Sequence, residues 1–237
     1  MSNPEQVRVC IVIPSYNEEK SLGDVIDNLK KVFKKSPYLV TILCIDDYSA
    51  DKTSAIATQH GATAIRHILN TGAGGATSTG LRYAKLKDFD IAATMDADGQ
   101  HAAKDVLKGV ETLIKTDTDL LIGSRLINKE GMSKVKVLGN KGLSFITYLL
   151  FGVNSTDSQS GLRIFSRKAL DTLRWETSGY EFCSEMLWRA KQLKLVIDEY
   201  PIQAIYTDYS KAKGQNNWNA INIVKSLVKR RVVEMFE

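Results

Sequence analysis

Two aspartates separated by one residue follow an apolar segment near the middle of the chain. Residues 91–101 read I-A-A-T-M-D-A-D-G-Q-H, so the segment ends in Asp96 and Asp98. Two carboxylates this close repel each other, and a nearby cation would offset the repulsion. Hard oxygen ligands at this spacing suit Mg²⁺ or Mn²⁺, which keep waters and bind substrate phosphates. The pair therefore predicts a metal site for a diphosphate, with a solvated surface turn as the alternative.

Polar residues also end other apolar segments of the chain. Apolar segments alternate with helical patterns, which predicts an α/β fold with a parallel sheet covered on both faces. In such sheets ligands bind beyond the carboxyl ends of the strands, so these polar residues should meet at one edge. The first five predicted strands are residues 7–14, 39–47, 62–65, 91–96 and 119–125, and residues 160–166 and 195–206 are expected to add more.

The composition limits the classes of protein to consider. The chain has 237 residues, a formal net charge of +5 and 43% hydrophobic residues, as in a soluble globular protein. The mild positive charge fits anionic substrates or membrane surfaces, and we expect no nucleic-acid partner. The three cysteines lack metal-ligand spacing and no signal peptide is visible, so we expect a cytosolic protein. No apolar segment reaches the roughly 18–20 residues that cross a bilayer.

A glycine-rich segment, G-A-G-G-A at residues 72–76, precedes a predicted helix at about 74–86. It is neither a P-loop nor a G-x-G-x-x-G sequence after a first strand, which disfavours an ordinary ATPase or a nicotinamide enzyme. Its backbone N–H groups could line a nucleotide or acceptor pocket. The glycines could equally serve only a tight turn.

Six short motifs occur in an order that resembles a known family. They are P-S-Y-N-E (14–18), D-D-Y-S-A-D-K-T (46–53), N-T-G-A-G-G-A (70–76), D-A-D-G-Q-H (96–101), G-S-R (123–125) and S-G-L-R (160–163). The chain resembles inverting family 2 glycosyltransferases with the GT-A fold, most of all polyprenyl-phosphate sugar synthases of the dolichyl-phosphate mannosyltransferase type. The resemblance implies a Rossmann-like, mostly parallel sheet with helices on both faces and an irregular acceptor-side C-terminal part. We expect this domain at residues 1–215 and a basic amphipathic helix at 216–237.

The resemblance implies a donor site for a UDP- or GDP-linked sugar. It assigns the nucleoside pocket to Pro14, Tyr16 and Glu18, contacts with the base and ribose to Asp46 and Asp47, and a further nucleotide contact to Gly75. Asp96, Asp98 and Gln100 would bind Mg²⁺ or Mn²⁺, with Asp98 also catalytic. Lys211 and Lys213 would close over the diphosphate. Tyr48 departs from the family pattern because it stands at a glycine position.

The resemblance also implies an acceptor site. Arg125 matches an arginine that binds an acceptor phosphate, with Lys134, Lys136 and Arg163 as further contacts. The lysines stand where mannosyl-type relatives more often carry arginine. Asp157 sits where many family members place an acidic catalytic residue. A lipid phosphate is already ionised and needs positioning more than a base, whereas a hydroxyl acceptor would require Asp157 as its base.

The expected reaction is sugar transfer to a polyprenyl phosphate at the cytoplasmic face of a membrane. The alternatives are a family 2 enzyme acting on a sugar or protein hydroxyl and, more remotely, a nucleotidyltransferase. Contact with the membrane could come from residues 142–153, from the amphipathic helix at 219–236, or from a separate membrane subunit. That last helix could instead pack on the core.

Overall fold

A seven-stranded sheet forms the centre of the molecule in the computed structural model, which describes residues 6–128 and 134–205 together with residues 224, 225, 227, 228 and 231. The strand order is β3-β2-β1-β4-β6-β5-β7. The strands are β1 (Arg8–Ser15), β2 (Leu39–Asp46), β3 (Thr63–Arg66), β4 (Ile91–Thr94), β5 (Leu120–Ser124), β6 (Arg163–Ser166) and β7 (Ile197–Pro201). Every strand overlaps a segment predicted from the sequence, with β1 and β3 each ending one residue later than predicted. The α/β prediction is confirmed.

Helices cover both faces of the sheet. They are α1 (Leu22–Phe33), α2 (Thr53–Gln59), α3 (Gly72–Leu86), α4 (Ala103–Thr116), α5 (Lys134–Phe151), α6 (Arg167–Thr172) and α7 (Phe182–Gln192). Side chains of α1, α2 and α4 share one buried cluster with residues such as Ile11 and Ile13. Side chains of α3, α5, α6 and α7 share the other with residues such as Val12 and Phe165. Because adjacent strand residues point to opposite faces, each continuous apolar strand supplies both cores.

One strand runs against the others. β6 pairs antiparallel with β4 and with β5, while the remaining pairs are parallel. Its first residue, Arg163, is opposite Thr94 of β4 and Ile122 of β5. The start of β6 therefore meets the carboxyl ends of its neighbours. This reversal brings the S-G-L-R motif to the same edge as Asp96 and Arg125.

Two elements differ from the prediction or extend it. The glycine-rich segment is not a turn before a helix, because α3 begins at Gly72 and the glycines form its first turns. Near the C-terminus the five described residues are helical. There Leu227 is buried in the core on the α3–α5–α7 face, and Val224 packs against that core. The described part of this helix thus contacts the core, and the boundary at residues 215–216 stays a prediction.

Candidate active site

The carboxyl edge of the sheet gathers most of the predicted site residues that the structure describes. β1 ends at Ser15, just before Tyr16 and Glu18, and β2 ends at Asp46. β4 is followed by Asp96 and Asp98, and β5 by Arg125. A cavity of about 560 Å³ opens beside Asp98, between α1 and the start of α4. The edge therefore combines polar side chains with a partly apolar cavity, as do the sites in which α/β proteins bind ligands.

The carboxylates of Asp96 and Asp98 are held differently. The Asp96 side chain is 53% exposed, and its Oδ2 lies 3.1 Å from His101 Nε2. A side chain on Gly161 would collide with the Asp96 carboxylate, so the glycine of S-G-L-R leaves room for it. Asp98 accepts hydrogen bonds from the Gln100 backbone N–H at 3.0 Å and from its Nε2 at 2.7 Å. Gln100 in this arrangement orients Asp98 through its amide N–H and does not present an oxygen beside it.

The pKa values of the two aspartates shift in opposite directions. Burial, the Asp96 charge and the Glu18 charge raise the pKa of Asp98, against a hydrogen bond from Gln100 and the charge of His101. Burial would also raise the pKa of Asp96. The hydrogen bond and charge of His101, with the charges of Arg125 and Arg163, outweigh it and lower that pKa. A cation placed between the two carboxylates would relieve the remaining repulsion.

The donor atoms at this edge fit a hard divalent cation. Two aspartates offer oxygen ligands only, which is the preference of Mg²⁺ and Mn²⁺. Within residues 6–128 and 134–205 no three His, Cys, Asp or Glu side chains converge into a complete metal cluster. An ion held by Asp96 and Asp98 would need further oxygens from a substrate or water. That is how phosphate-binding magnesium sites are usually completed.

Asp46 is the first of two closed aspartates, by which we mean that both oxygens of the carboxylate already accept hydrogen bonds from the protein. Its side chain is wholly buried; Oδ1 accepts the Ser49 N–H at 2.8 Å, and Oδ2 accepts the Ser54 hydroxyl. Arg66 Nη1 lies 3.9 Å from the same oxygen. Asp46 thus shapes the turn that leads into α2. The predicted contact with a base or ribose would require these bonds to open.

Asp47 is closed in the same way. It accepts hydrogen bonds from Thr71 N and Oγ1, both at 2.8 Å, and from Gly72 N at 2.7 Å. His67 Nδ1 lies 2.7 Å from its Oδ1. Burial raises the pKa of Asp47, but these hydrogen bonds outweigh it and lower the pKa overall. Asp47 therefore anchors the segment between β3 and α3.

The glycines at the start of α3 are required by packing. A Cβ on Gly72 or Gly74 would collide with the backbone oxygens of residues 177 and 178, and one on Gly75 with Thr71. Gly74 N donates to the Ser178 oxygen at 2.7 Å, so the segment before α7 lies directly on the helix start. This explains the glycine-rich composition without a nucleotide. The nucleotide contact of Gly75 stays a prediction.

Arg125 and Asp157 form a bidentate pair. Arg125 Nε and Nη2 donate to the two Asp157 oxygens at 2.7 and 2.9 Å, and its backbone N–H donates at 3.1 Å. The Asp157 side chain is fully buried, while that of Arg125 is 14% exposed. A general base needs an oxygen within reach of the proton that it removes. Both Asp157 oxygens are committed to Arg125, which favours a positioning role over the predicted base.

Arg163 does not lie where the sequence prediction placed it. The resemblance implied that Arg163 contacts an acceptor, but β6 is an interior strand and Arg163 is only 1% exposed. Its guanidinium donates to the Ser158 oxygen at 2.8 Å and to Met186 Sδ at 3.1 Å. The Arg163 side chain therefore lies beneath the carboxyl edge of the sheet and points toward α7. There its charge acts on Asp96 through space.

The other predicted residues are less constrained. Pro14 is partly buried in β1, Tyr16 is 47% exposed, and Glu18 is buried with its carboxylate accepting the Ser21 hydroxyl at 3.1 Å. Lys136 is exposed on α5. Lys134 begins that helix, but its side chain, like all of Lys211 and Lys213, lies outside the described residues.

Sequence reasoning left out His101 as a site residue. It is 4% exposed, and within the described structure its Nδ1 has no hydrogen-bond partner. Its Nε2 faces Asp96, so it fixes one carboxylate of the pair. In the sequence, only its position three residues after Asp98 indicated that His101 lies near the site.

Comparison with known proteins identifies a family. The profile described as Glycosyl transferase family 2 matches residues 10–174. A relative from Methanococcus voltae, described as UDP-N-acetylglucosamine–dolichyl-phosphate N-acetylglucosaminyltransferase, is 42% identical over 88% of this chain and 90% of its own length. An undecaprenyl-phosphate mannosyltransferase from Micrococcus luteus is 31% identical, covering 87% of each chain.

A solved structure shares the fold. Glucosyl-3-phosphoglycerate synthase from Mycobacterium tuberculosis, in complex with Mn²⁺, UDP-glucose and phosphoglyceric acid, superposes with a TM-score of 0.70. The match covers 94% of this chain and 78% of that one at 17% identity. At this identity the likeness concerns the fold, and it agrees with the GT-A fold expected from the motifs.

Proposed function

Because the chain belongs to glycosyltransferase family 2, we propose that it moves a hexosyl group from a UDP- or GDP-linked donor to a polyprenyl phosphate. The donor diphosphate lies against Asp96 and Asp98, and the lipid phosphate against Arg125. The names of two relatives, one a dolichyl-phosphate and the other an undecaprenyl-phosphate transferase, support this acceptor class.

The geometry of the Arg125–Asp157 pair indicates which class of acceptor the site binds. A phosphate acceptor needs a cation that orients it and no base, since it is already ionised near neutral pH. A hydroxyl acceptor needs a base. Asp157, the residue expected to supply that base, has both oxygens bonded to Arg125. The geometry therefore supports a phosphate acceptor over a sugar or protein hydroxyl.

On the donor side, Asp96 and Asp98 would hold a Mg²⁺ or Mn²⁺ ion. When bound, such an ion neutralises charge on the leaving diphosphate. The environment of Asp98 agrees with this assignment, because burial and then the neighbouring Asp96 charge raise its pKa, and a bound cation would offset both effects. The Mn²⁺ in the related fold is consistent with it. Lys211 and Lys213 are proposed to add positive charge to the same group.

The transfer step is proposed as a single displacement. An oxygen of the lipid phosphate attacks the anomeric carbon while the bond from that carbon to the diphosphate oxygen breaks. The nucleoside diphosphate leaves with the electron pair, and the configuration at the carbon inverts. Arg125 holds the attacking phosphate in line, and Asp157 fixes the guanidinium in one orientation.

A lipid acceptor requires contact with a membrane, and α5 offers the surface. Within the described residues no helix is long and apolar enough to cross a bilayer. One side of α5 is buried through Leu143, Thr147 and Phe151. The other side exposes Val135, Leu138, Phe145, Tyr148 and Leu149, each more than half exposed. Lys141 is exposed on this same side, and Lys136 is exposed near the start of the helix. We propose that this apolar stripe rests in the interface of a cytoplasmic leaflet.

The α5 surface is tied to the acceptor site. Ser144, on the buried side of the helix, accepts the Ser158 N–H at 3.0 Å and hydrogen-bonds the Thr156 oxygen at 3.3 Å. These two residues flank Asp157. A leaflet bound to the outer side of α5 would therefore bring a lipid phosphate close to Arg125.

Co-sedimentation with anionic liposomes tests the α5 surface. The double variant Leu138→Glu/Phe145→Glu should lose most liposome binding, because it places two charges in the apolar stripe. Ile114→Glu is the matched control, because Ile114 is 47% exposed on α4, on the other face of the sheet. Equal binding by all three proteins would exclude α5 as the membrane contact.

Product analysis tests the reaction. The protein would be incubated with Mn²⁺ or Mg²⁺, a panel of nucleotide sugars and a short-chain polyprenyl phosphate, and the lipid examined by mass spectrometry. We expect a metal-dependent glycolipid from one donor, absent with Asp96→Ala. Transfer to a hydroxyl acceptor, with the lipid phosphate unmodified, would contradict the proposal.

A further inference from the structure

Tyr48 occupies an unusual backbone position at the candidate site. It directly follows the two closed aspartates at the end of β2 and has a φ of 66°. That left-handed region favours glycine, and a bulky side chain there is strained. Strained residues persist only where the surroundings enforce them, and they cluster at functional sites. The chain therefore places an aromatic side chain in a backbone conformation that glycine adopts without strain.

The turn around Tyr48 is fixed from several directions. Tyr48 N donates to the Asp46 oxygen at 2.9 Å, and Asp47 N donates to the Ser15 oxygen at 2.8 Å. The following residue, Ser49, accepts the Asn17 N–H on its hydroxyl at 2.9 Å. The loop after β2 is thus locked to the loop after β1. The ring of Tyr48 cannot be withdrawn by a shift of its backbone.

The Tyr48 side chain is partly exposed at this edge of the sheet. Tyr48 is 53% exposed, and Tyr16 on the neighbouring loop is 47% exposed. The Arg66 guanidinium lies 5.9 Å from the centre of the Tyr48 ring and donates to the Ser49 oxygen at 2.7 Å. This cation holds the ring in place from the β3 side. Two flat aromatic faces thus border the region beyond β1 and β2.

We propose that Tyr48 is a specificity-determining residue for the nucleotide, and that it restricts the base pocket to a single-ring base, uracil. The inference rests on the proposed function, because it takes a nucleotide sugar as the donor. A phenol ring at a glycine-type position fills space that the second ring of guanine would need. Because backbone bonds and Arg66 fix it, the ring excludes the larger base and remains free to stack on the smaller one.

Nucleotide binding measured by calorimetry tests this role without depending on turnover. Wild type and three variants would be titrated with UDP and with GDP in the presence of Mn²⁺. Tyr48→Gly removes the ring and suits the left-handed backbone. Tyr48→Phe keeps the ring. Asp117→Gly is the matched control, because Asp117 has a φ of 50° at the end of α4, far from the carboxyl edge.

We expect wild type, Tyr48→Phe and Asp117→Gly to bind UDP more tightly than GDP. Tyr48→Gly should lower that preference about tenfold or more, since a stacking and excluding ring is lost. An unchanged ratio in Tyr48→Gly, or a wild type that prefers GDP, would overturn the inference alone. If the wild type binds neither nucleotide, the proposed function fails and the inference falls with it. Thermal unfolding of Tyr48→Gly confirms that the variant is folded.

Discussion

Two pairs of aspartates end two strands of the same sheet, and their surroundings are opposite. Asp46 and Asp47 are buried, and their oxygens accept hydrogen bonds from the segments that lead into α2 and α3. Asp96 is half exposed, and burial with nearby negative charge raises the pKa of Asp98. In sequence the pairs look alike. The carboxylates of the first pair hold loops together, whereas the second pair has fewer protein donors and two carboxylates that repel each other.

The largest expected effect is at Asp98, where a substitution should reduce activity without reducing stability. Asp98→Asn should lower the transfer rate by at least about 10²-fold, because it weakens the site for the metal ion that would neutralise charge on the leaving diphosphate. Its free energy of unfolding should stay the same or rise, since the repulsion from Asp96 is removed. Initial rates and urea unfolding of the same preparation measure both. A destabilised and fully active variant would reverse the comparison.

A substitution at Asp47, in the closed pair, should reduce stability and leave the metal dependence of the reaction unchanged. Asp47→Asn should lower the free energy of unfolding by about 1–3 kcal/mol, because donors from Thr71 and Gly72 lose a charged acceptor in a buried place. Chemical denaturation measures the loss. At a temperature where the variant is folded, its metal dependence should match that of the wild type. An equal stability of the two proteins would show that Asp47 is not an anchor.

Asp157 is a third case. Both of its oxygens accept hydrogen bonds, as in the closed pair, but it adjoins the proposed acceptor site. Asp157→Asn should raise the KM for the lipid phosphate about tenfold and change kcat less, since the Arg125 guanidinium loses its orientation. Combined with Arg125→Gln, it should add little further loss, because both changes break one unit. Steady-state kinetics over pH 6–9 provide the measurement. A large fall in kcat with an unchanged KM would instead support the base role.

The smallest effect concerns pH. The pKa of Asp47 is lowered in the folded state by hydrogen bonds that outweigh burial. Its stabilising contribution is therefore complete above the ordinary value of about 4 and is lost as the pH falls through the lowered one. The stability difference between wild type and Asp47→Asn should shrink over that acidic range. Urea unfolding from pH 6 to pH 3 tests this, and a difference that widens toward acid would contradict the assigned sign.

The sequence prediction succeeded for the strands and for the polar residues that follow their carboxyl ends. Alternation of apolar segments and helical patterns located all seven strands, most clearly β1, β4, β5 and β6, which are buried along nearly their whole length. The strand ends then located Asp96, Asp98 and Arg125 at one edge. The glycines of α3 show where the same reasoning fails, since a phosphate loop and a close backbone contact require the same residue type. Only the position of residues 177 and 178 decides between them.

What the sequence determined by itself is the fold, the family and the edge at which polar residues meet. These follow from local periodicity and from the order of short motifs. The tertiary structure decided which charges are already satisfied. It turned β6 antiparallel inside the sheet, buried Arg163 under the site, and paired Arg125 with Asp157 across 32 residues of sequence. Whether a carboxylate is available for chemistry depends on donors distant in the chain, and only the folded arrangement brings those donors to it.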